Sequence, residues 1–192
     1  MEKKWPASGA DMKIFKARSS SPSDTMRLAR NLAAIVPAGT YIMLEGGLGS
    51  GKTTFVSGYA RGRRVSSPSF VLSNIYSGGR NPIEVRHVDL WRLPAGADVS
   101  DIFAVDDTRQ NERIVWLVEW ADRLPVDFAP RDNTISIRIT SPRPTSSSPK
   151  LTSGRARNNE NDGLLTRDIR VAVYSERLAA VINKLRRVSV YQ

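Results

Sequence analysis

The sequence contains no cysteine and a single histidine, His87. Without cysteine there can be no disulfide, no zinc–thiolate site and no cysteine nucleophile, and one imidazole excludes a histidine-rich metal site. No apolar run approaches the ~18 residues that a membrane helix needs. Met1-Glu2-Lys3-Lys4-Trp5-Pro6 leads into polar sequence rather than the apolar core of a signal peptide. These absences predict a cytoplasmic protein with no membrane association. At 192 residues the chain is long enough for one domain with a real core and short for two, and its 40% hydrophobic and 25% charged residues are those of a soluble globular protein.

What is abundant is positive charge, a formal +10. Much of it lies outside the expected core, in Arg61, Arg63 and Arg64 and in the later stretch with Lys150, Arg155 and Arg157. Charge of this kind serves either RNA contact or simple solvation, and it speaks to association rather than fold.

The run Leu44-Glu45-Gly46-Gly47-Leu48-Gly49-Ser50-Gly51-Lys52-Thr53-Thr54 fits G-x-x-x-x-G-K-[ST] from Gly46 to Thr53. It follows the apolar, strand-like Tyr41-Ile42-Met43-Leu44 and precedes a helix-like segment over 52–60, the context that a phosphate loop requires. Glycines let the backbone turn and aim N–H groups at phosphate oxygens. The first turn of the next helix adds orphan donors and the positive end of its dipole. Gly46, Gly47, Leu48, Gly49, Ser50, Gly51, Lys52, Thr53 and Thr54 are therefore the predicted nucleotide contacts. Lys52 would supply a point charge to the β- and γ-phosphates, and the Thr53 hydroxyl a magnesium ligand.

Around the loop the sequence alternates strand and helix signals. Residues 12–18 alternate like a short strand. Ser-Pro-Ser-Asp-Thr at 21–25 can cap a helix that Pro37-Ala38-Gly39 stops. Further strands are expected from Phe70 through Tyr76, from Val85 to Leu90, over Ile114–Val118, over Thr134–Ile139 and over Ile169–Val173. The alternating Thr134–Ile139 strand should have one face in water, and a last helix is expected around 175–187. The pattern predicts a small single-domain α/β fold, a mostly parallel central sheet flanked by helices with antiparallel additions, nucleotide lying at the carboxyl ends of its central strands. Residues 1–11 are expected to be flexible. Residues 141–163, rich in Ser, Pro, Arg and Asn with almost nothing to bury, read as a disordered insertion.

Hydrolysis needs magnesium coordination and a positioned water in addition to the loop. Asp89 ends the strand Val85-Arg86-His87-Val88, and Glu119 ends Ile114-Val115-Trp116-Leu117-Val118. Both acids directly follow apolar residues, where an unpaired charge is costly. Either they serve a metal, or they are strand-end charges paired with Arg92 or Arg123. In Ser66-Ser67-Pro68-Ser69-Phe70, Ser69 is the candidate to sense the γ-phosphate or hold metal and water; alternatively Ser-Ser-Pro-Ser is only a turn.

Taken together, Glu45 to Phe55, Val65-Ser66-Ser67-Pro68-Ser69-Phe70, His87-Val88-Asp89-Leu90-Trp91-Arg92-Leu93 and Val118-Glu119-Trp120 resemble the TsaE family, the ATPases of bacterial tRNA threonylcarbamoyladenosine synthesis. The resemblance spans residues 44–124. It implies a magnesium-dependent ATPase, weak alone, that works with TsaD and TsaB proteins to place the threonylcarbamoyl group on adenosine 37 of tRNAs reading codons that begin with A. ATP binding and hydrolysis would reset the partner complex between turnovers and not modify tRNA directly, which leaves open whether tRNA is met only through the complex or also by direct contact. By position, Lys52 and Thr53 would hold phosphate and magnesium, Glu119 would be a magnesium ligand, Asp89 would act at the metal or the attacking water, and Ser69 would stand at the switch threonine. Trp120 lies beside the site in the family pattern, or is a packing aromatic. The chain departs from the family in Gly47, where an acid is usual, in Ser69 for threonine, in Trp91 for tyrosine, and in a short connection over residues 59–64. Two other classes share the loop: a small-molecule or nucleoside kinase, with Arg61, Arg63 and Arg64 as lid arginines, and a nucleotide-gated binding module without turnover.

Overall fold

A computed structural model of the chain describes residues 12–60, 65, 68, 72–76, 83–105, 112–125, 127–141 and 166–189. The fold is a seven-stranded sheet with helices against it. In chain order come β1 (Lys13–Ser19), α1 (Pro22–Ala33), β2 (Thr40–Glu45), α2 (Lys52–Tyr59), β3 (Ser73–Tyr76), β4 (Glu84–Asp89), α3 (Ser100–Phe103), β5 (Ile114–Glu119), β6 (Thr134–Thr140), β7 (Arg167–Val173) and α4 (Glu176–Ser189). The spatial order is β1-β7-β6-β2-β5-β4-β3. The central four, β6, β2, β5 and β4, run parallel. Beyond them β7, β1 and β3 are antiparallel additions.

Local chemistry explains the elements that frame the site. Ser21 caps α1 by accepting the Asp24 N–H at 3.1 Å, Pro22 fills the first turn, and Leu28, Ala29 and Leu32 turn inward. Every residue of β5 is buried, as expected of a strand with parallel neighbours on either side and both faces covered. Ile42, Leu44, Val115, Leu117, Ile135 and Ile137 form one core with α1, α2 and α4. Met43, Val88, Trp116 and Val118 form a second core on the opposite face, with the segments around α3 and Phe128.

β6 does not have the water-facing side that its alternation predicts. Thr134 and Ser136 are buried, and on that side Thr140 is the exposed residue. Two of the polar side chains have protein partners instead: the Thr134 hydroxyl donates to Pro130 O at 2.8 Å, and Arg138 reaches Glu45. The strand expected from Phe70 begins at Ser73, after Leu72 in a left-handed conformation at φ +64°. Phe70 and Val71 lie outside the described residues, as do residues 1–11 and all but Ser141 of the 141–163 stretch.

Candidate nucleotide site

The loop from Gly46 to Gly51 leaves the carboxyl end of β2 and enters α2 at Lys52. Gly46, Gly49 and Gly51 all have positive φ, and a Cβ on Gly46 would lie 2.3 Å from the Ile139 carbonyl oxygen. Gly47 has neither constraint: its φ is not positive, and nothing lies within 4 Å of a Cβ placed there. The loop is held from a distance by Arg167 at the start of β7, whose Nε donates to Ser50 O at 3.0 Å and Nη2 to Gly49 O at 3.2 Å.

Lys52 is buried. Its Nζ donates to the carbonyls of Gly46 at 2.7 Å and Gly47 at 2.9 Å and lies 3.7 Å from the centre of the Trp120 ring. Burial pushes its pKa below the ordinary lysine value, against the pull of Glu119, Asp89 and Asp122. Trp120 is itself in the left-handed region at φ +59° and contacts Trp91, with ring centroids 4.4 Å apart. Arg123 stands over both rings, at 5.2 Å and 5.6 Å. Trp120 is therefore both a packing aromatic and a wall of the site.

The two strand-end acids meet here. Asp89 and Glu119 are register partners on β4 and β5, and both are almost fully buried. Glu119 Oε2 accepts the Thr53 hydroxyl at 3.0 Å, and its Oε1 lies 2.9 Å from His87 Nε2. It pairs with these groups rather than with Arg123. Asp89 Oδ1 accepts the Trp91 N–H at 2.9 Å. Leu48 to Thr54, Asp89, Trp91, Glu119 and Trp120 line a single cavity of about 270 Å³.

Of the sequence-predicted residues, Leu48, Gly49, Ser50, Gly51, Lys52, Thr53, Thr54, Asp89 and Glu119 thus come together around one space, while Gly46 and Gly47 are not among its lining. Ser69 lies outside the described residues, as do Arg61, Arg63 and Arg64. Two residues escaped the sequence reading of the site. His87 has a usable signal, because strand alternation places it on the same side of β4 as Asp89, and the β4–β5 register then brings it to Glu119. Arg167 has none, since it acts on a loop more than a hundred residues earlier.

A hydroxyl and two carboxylates are hard oxygen donors of the type magnesium takes, and magnesium bound with phosphates needs only one or two carboxylates from the protein. The Thr53–Glu119 hydrogen bond brings two of those donors to one point beside the loop. Among the described residues no three His, Asp or Glu side chains form an all-protein metal cage, an arrangement such a site does not require.

A model of the family described as threonylcarbamoyl adenosine biosynthesis protein TsaE matches residues 19–148. The chain is 37% identical over 114 residues to the tRNA threonylcarbamoyladenosine biosynthesis protein TsaE of Bacillus subtilis (strain 168), covering 57% of this chain and 68% of that protein. It is 31% identical over 125 residues to the protein of the same name from Treponema pallidum (strain Nichols), covering 63% and 89%. Among solved structures, the crystal structure of Bacillus subtilis YdiB superposes with a TM-score of 0.60 at 23% identity, covering 93% of this chain and 97% of that one. At that identity the likeness speaks to the fold.

Proposed function

We propose, from the premise that this chain belongs to the TsaE family, that it is the ATP-binding and ATP-hydrolysing member of the machinery that makes threonylcarbamoyladenosine in tRNA. It acts as a single phosphate-loop domain with TsaD- and TsaB-like partners on tRNAs that read A-starting codons. The observation that carries this reading is the convergence of Lys52, Thr53, Asp89 and Glu119 on one cleft at the ends of β2, β4 and β5.

In this reading the loop N–H groups and the first turn of α2 bind the phosphates. Lys52 exchanges the Gly46 and Gly47 carbonyls for β- and γ-phosphate oxygens, and Trp120 keeps water from its ammonium. Thr53 and Glu119 would hold Mg²⁺, with Asp89 at the metal or the attacking water. Bound there, the ion supplies charge neutralisation between the phosphates and the leaving oxygen. Glu119 is held in place by Thr53 on one oxygen and His87 on the other, so its carboxylate is aimed before nucleotide arrives.

The test is a pull-down of TsaD- and TsaB-like proteins from the same cell with and without ATP, while phosphate release is followed. Association that responds to ATP, with hydrolysis stimulated by the partners, is the expected result, and Lys52→Ala should lose ATP binding. Phosphate transfer to a small hydroxyl compound faster than hydrolysis would instead identify a kinase. Tight ATP-dependent association with no turnover would identify a non-hydrolysing module.

A further inference from the structure

On the antiparallel wing of the sheet Lys16, Arg18 and Arg170 are exposed on one face, and that face carries a row of cations. Lys16 on β1 is the register partner of Arg170 on β7, and Arg170 is in turn the partner of Arg138 on β6. Directly opposed residues project from the same side of a sheet, so three cations from three adjacent strands stand in line. The row ends at Glu45 on β2, which holds Arg138 at 2.8 Å and immediately precedes the phosphate loop. In the neighbouring row Arg18 holds Asp168 at 3.3 Å. Both acids of this face are therefore engaged by arginines, while Lys16 and Arg170, both exposed, have no ion-pair partner among the described residues. A groove of about 390 Å³ runs among Lys16, Arg18, Thr140, Asp168 and Arg170.

Like charges directly opposite on neighbouring strands destabilise a sheet, and an anion settling between them reverses the sign of that interaction. The stretch of chain joining β6 to β7 is itself net positive, with Arg143, Lys150, Arg155 and Arg157 against Glu160 and Asp162. We propose that this face binds the phosphodiester backbone of RNA, Lys16 and Arg170 contacting successive phosphates beside the nucleotide site. The choice of RNA rests on the tRNA reading above and on what the face lacks. The large exposed hydrophobic residues among those described are Leu48, Ile75, Trp91 and Val188, and none is on it. An acidic protein surface would have no apolar anchor here, and such anchors carry most of the affinity of protein interfaces. With strands ~4.8 Å apart, Lys16 lies three strands from β2, so RNA on this row approaches the edge of the nucleotide cleft.

The test is fluorescence anisotropy of the full chain against a labelled unmodified tRNA transcript, without ATP or partner proteins, across a salt titration. The Lys16→Gln/Arg170→Gln double variant is expected to bind at least about tenfold more weakly, with a log Kd against log salt slope shallower by about 1.5, as two lost phosphate contacts require. Lys184→Gln/Arg187→Gln on α4, the same change in net charge, should leave affinity at the parent value. ATP affinity of both doubles should match the parent, and neither should melt below it, the Lys16→Gln/Arg170→Gln double melting at or above the parent because two opposed like charges are gone. Absent tRNA binding by the parent, equal tRNA affinity in all three proteins, or equal weakening by both doubles would overturn the proposal. So would competition by poly-glutamate as effective as that by tRNA, which would make the partner an acidic protein. Because this readout uses neither ATP nor the partner complex, it can fail while ATP-dependent association and hydrolysis hold, or hold while they fail.

Discussion

Replacing Gly46 with alanine and, separately, Gly47 with alanine should separate two adjacent glycines of the loop, the one that the motif requires and the one that it leaves open. A Cβ on Gly46 would stand 2.3 Å from Ile139 O and 2.7 Å from Ser50 Oγ, and the residue sits at φ +149°. Ile139 O belongs to the backbone of β6, so it cannot swing away as a side-chain tip would. Restoring ordinary contact moves the loop by about 1 Å, at a cost of about 1–3 kcal/mol for overpacking, and the backbone conformation adds about 1–3 kcal/mol of strain in an L-residue. At roughly 2–4 °C per kcal/mol for a chain of this size, the melting temperature of Gly46→Ala should fall by about 5–20 °C. Because a 1 Å misplacement of positioning groups can cost about 100-fold, its ATP affinity, read by a fluorescent nucleotide analogue, should fall steeply as well. Gly47→Ala meets open space and should stay within about 0.5 kcal/mol of the parent. Equal melting temperatures for the two variants, or parental ATP affinity in Gly46→Ala, would refute the reasoning.

Four further substitutions probe the site and its frame. Glu119→Gln keeps an acceptor for Thr53 but removes the charge, so ATP should still bind while magnesium-dependent phosphate release falls about 100-fold or more; an unchanged hydrolysis rate in the partner complex would remove Glu119 from the metal. His87→Leu deletes the donor on Glu119 Oε1 and should raise the magnesium concentration needed for half-maximal hydrolysis by about 10–100-fold, whereas a parental magnesium titration would leave His87 a packing role only. Gly58→Ala should destabilise by about 1–3 kcal/mol in urea melts, although alanine is the better helix former by about 1 kcal/mol, because its Cβ would lie 2.5 Å from Met26 Cα and O where α2 crosses α1. Ser21→Ala should cost about 1 kcal/mol at neutral pH. Besides accepting the Asp24 N–H, the Ser21 side chain interacts with the Asp24 carboxyl and is the main cause holding it below its usual value, so that part of the stability is present above the ordinary carboxylate range and is lost as pH falls through the lowered value; the gap between parent and variant in thermal melts should therefore narrow in acid.

What could be read along the chain follows from how far each interaction reaches. The loop motif was legible because the contacts a phosphate loop offers are consecutive backbone N–H groups and one side chain next to them, which leave a contiguous mark in sequence. Asp89 and Glu119 were legible for a related reason: an acid directly after a buried strand has few places to go, and parallel strands bring such ends to one edge. The Thr134–Ile139 strand misled because alternation reports polarity, not exposure, and Thr134 and Arg138 are used against Pro130 and Glu45. Arg167 and the Lys16–Arg170–Arg138 row depend instead on which strands pair and in which register. β1 pairs with β7 across some 150 residues of sequence, and a slip of one residue would turn Arg170 to the covered face. No spacing within either segment carries that information. Parallel pairing of β5 with β2 and β4 places Glu119 beside Thr53, while antiparallel pairing of β7 with β1 and β6 lines up the cations, so cleft and charged face are set by different pairings within one sheet.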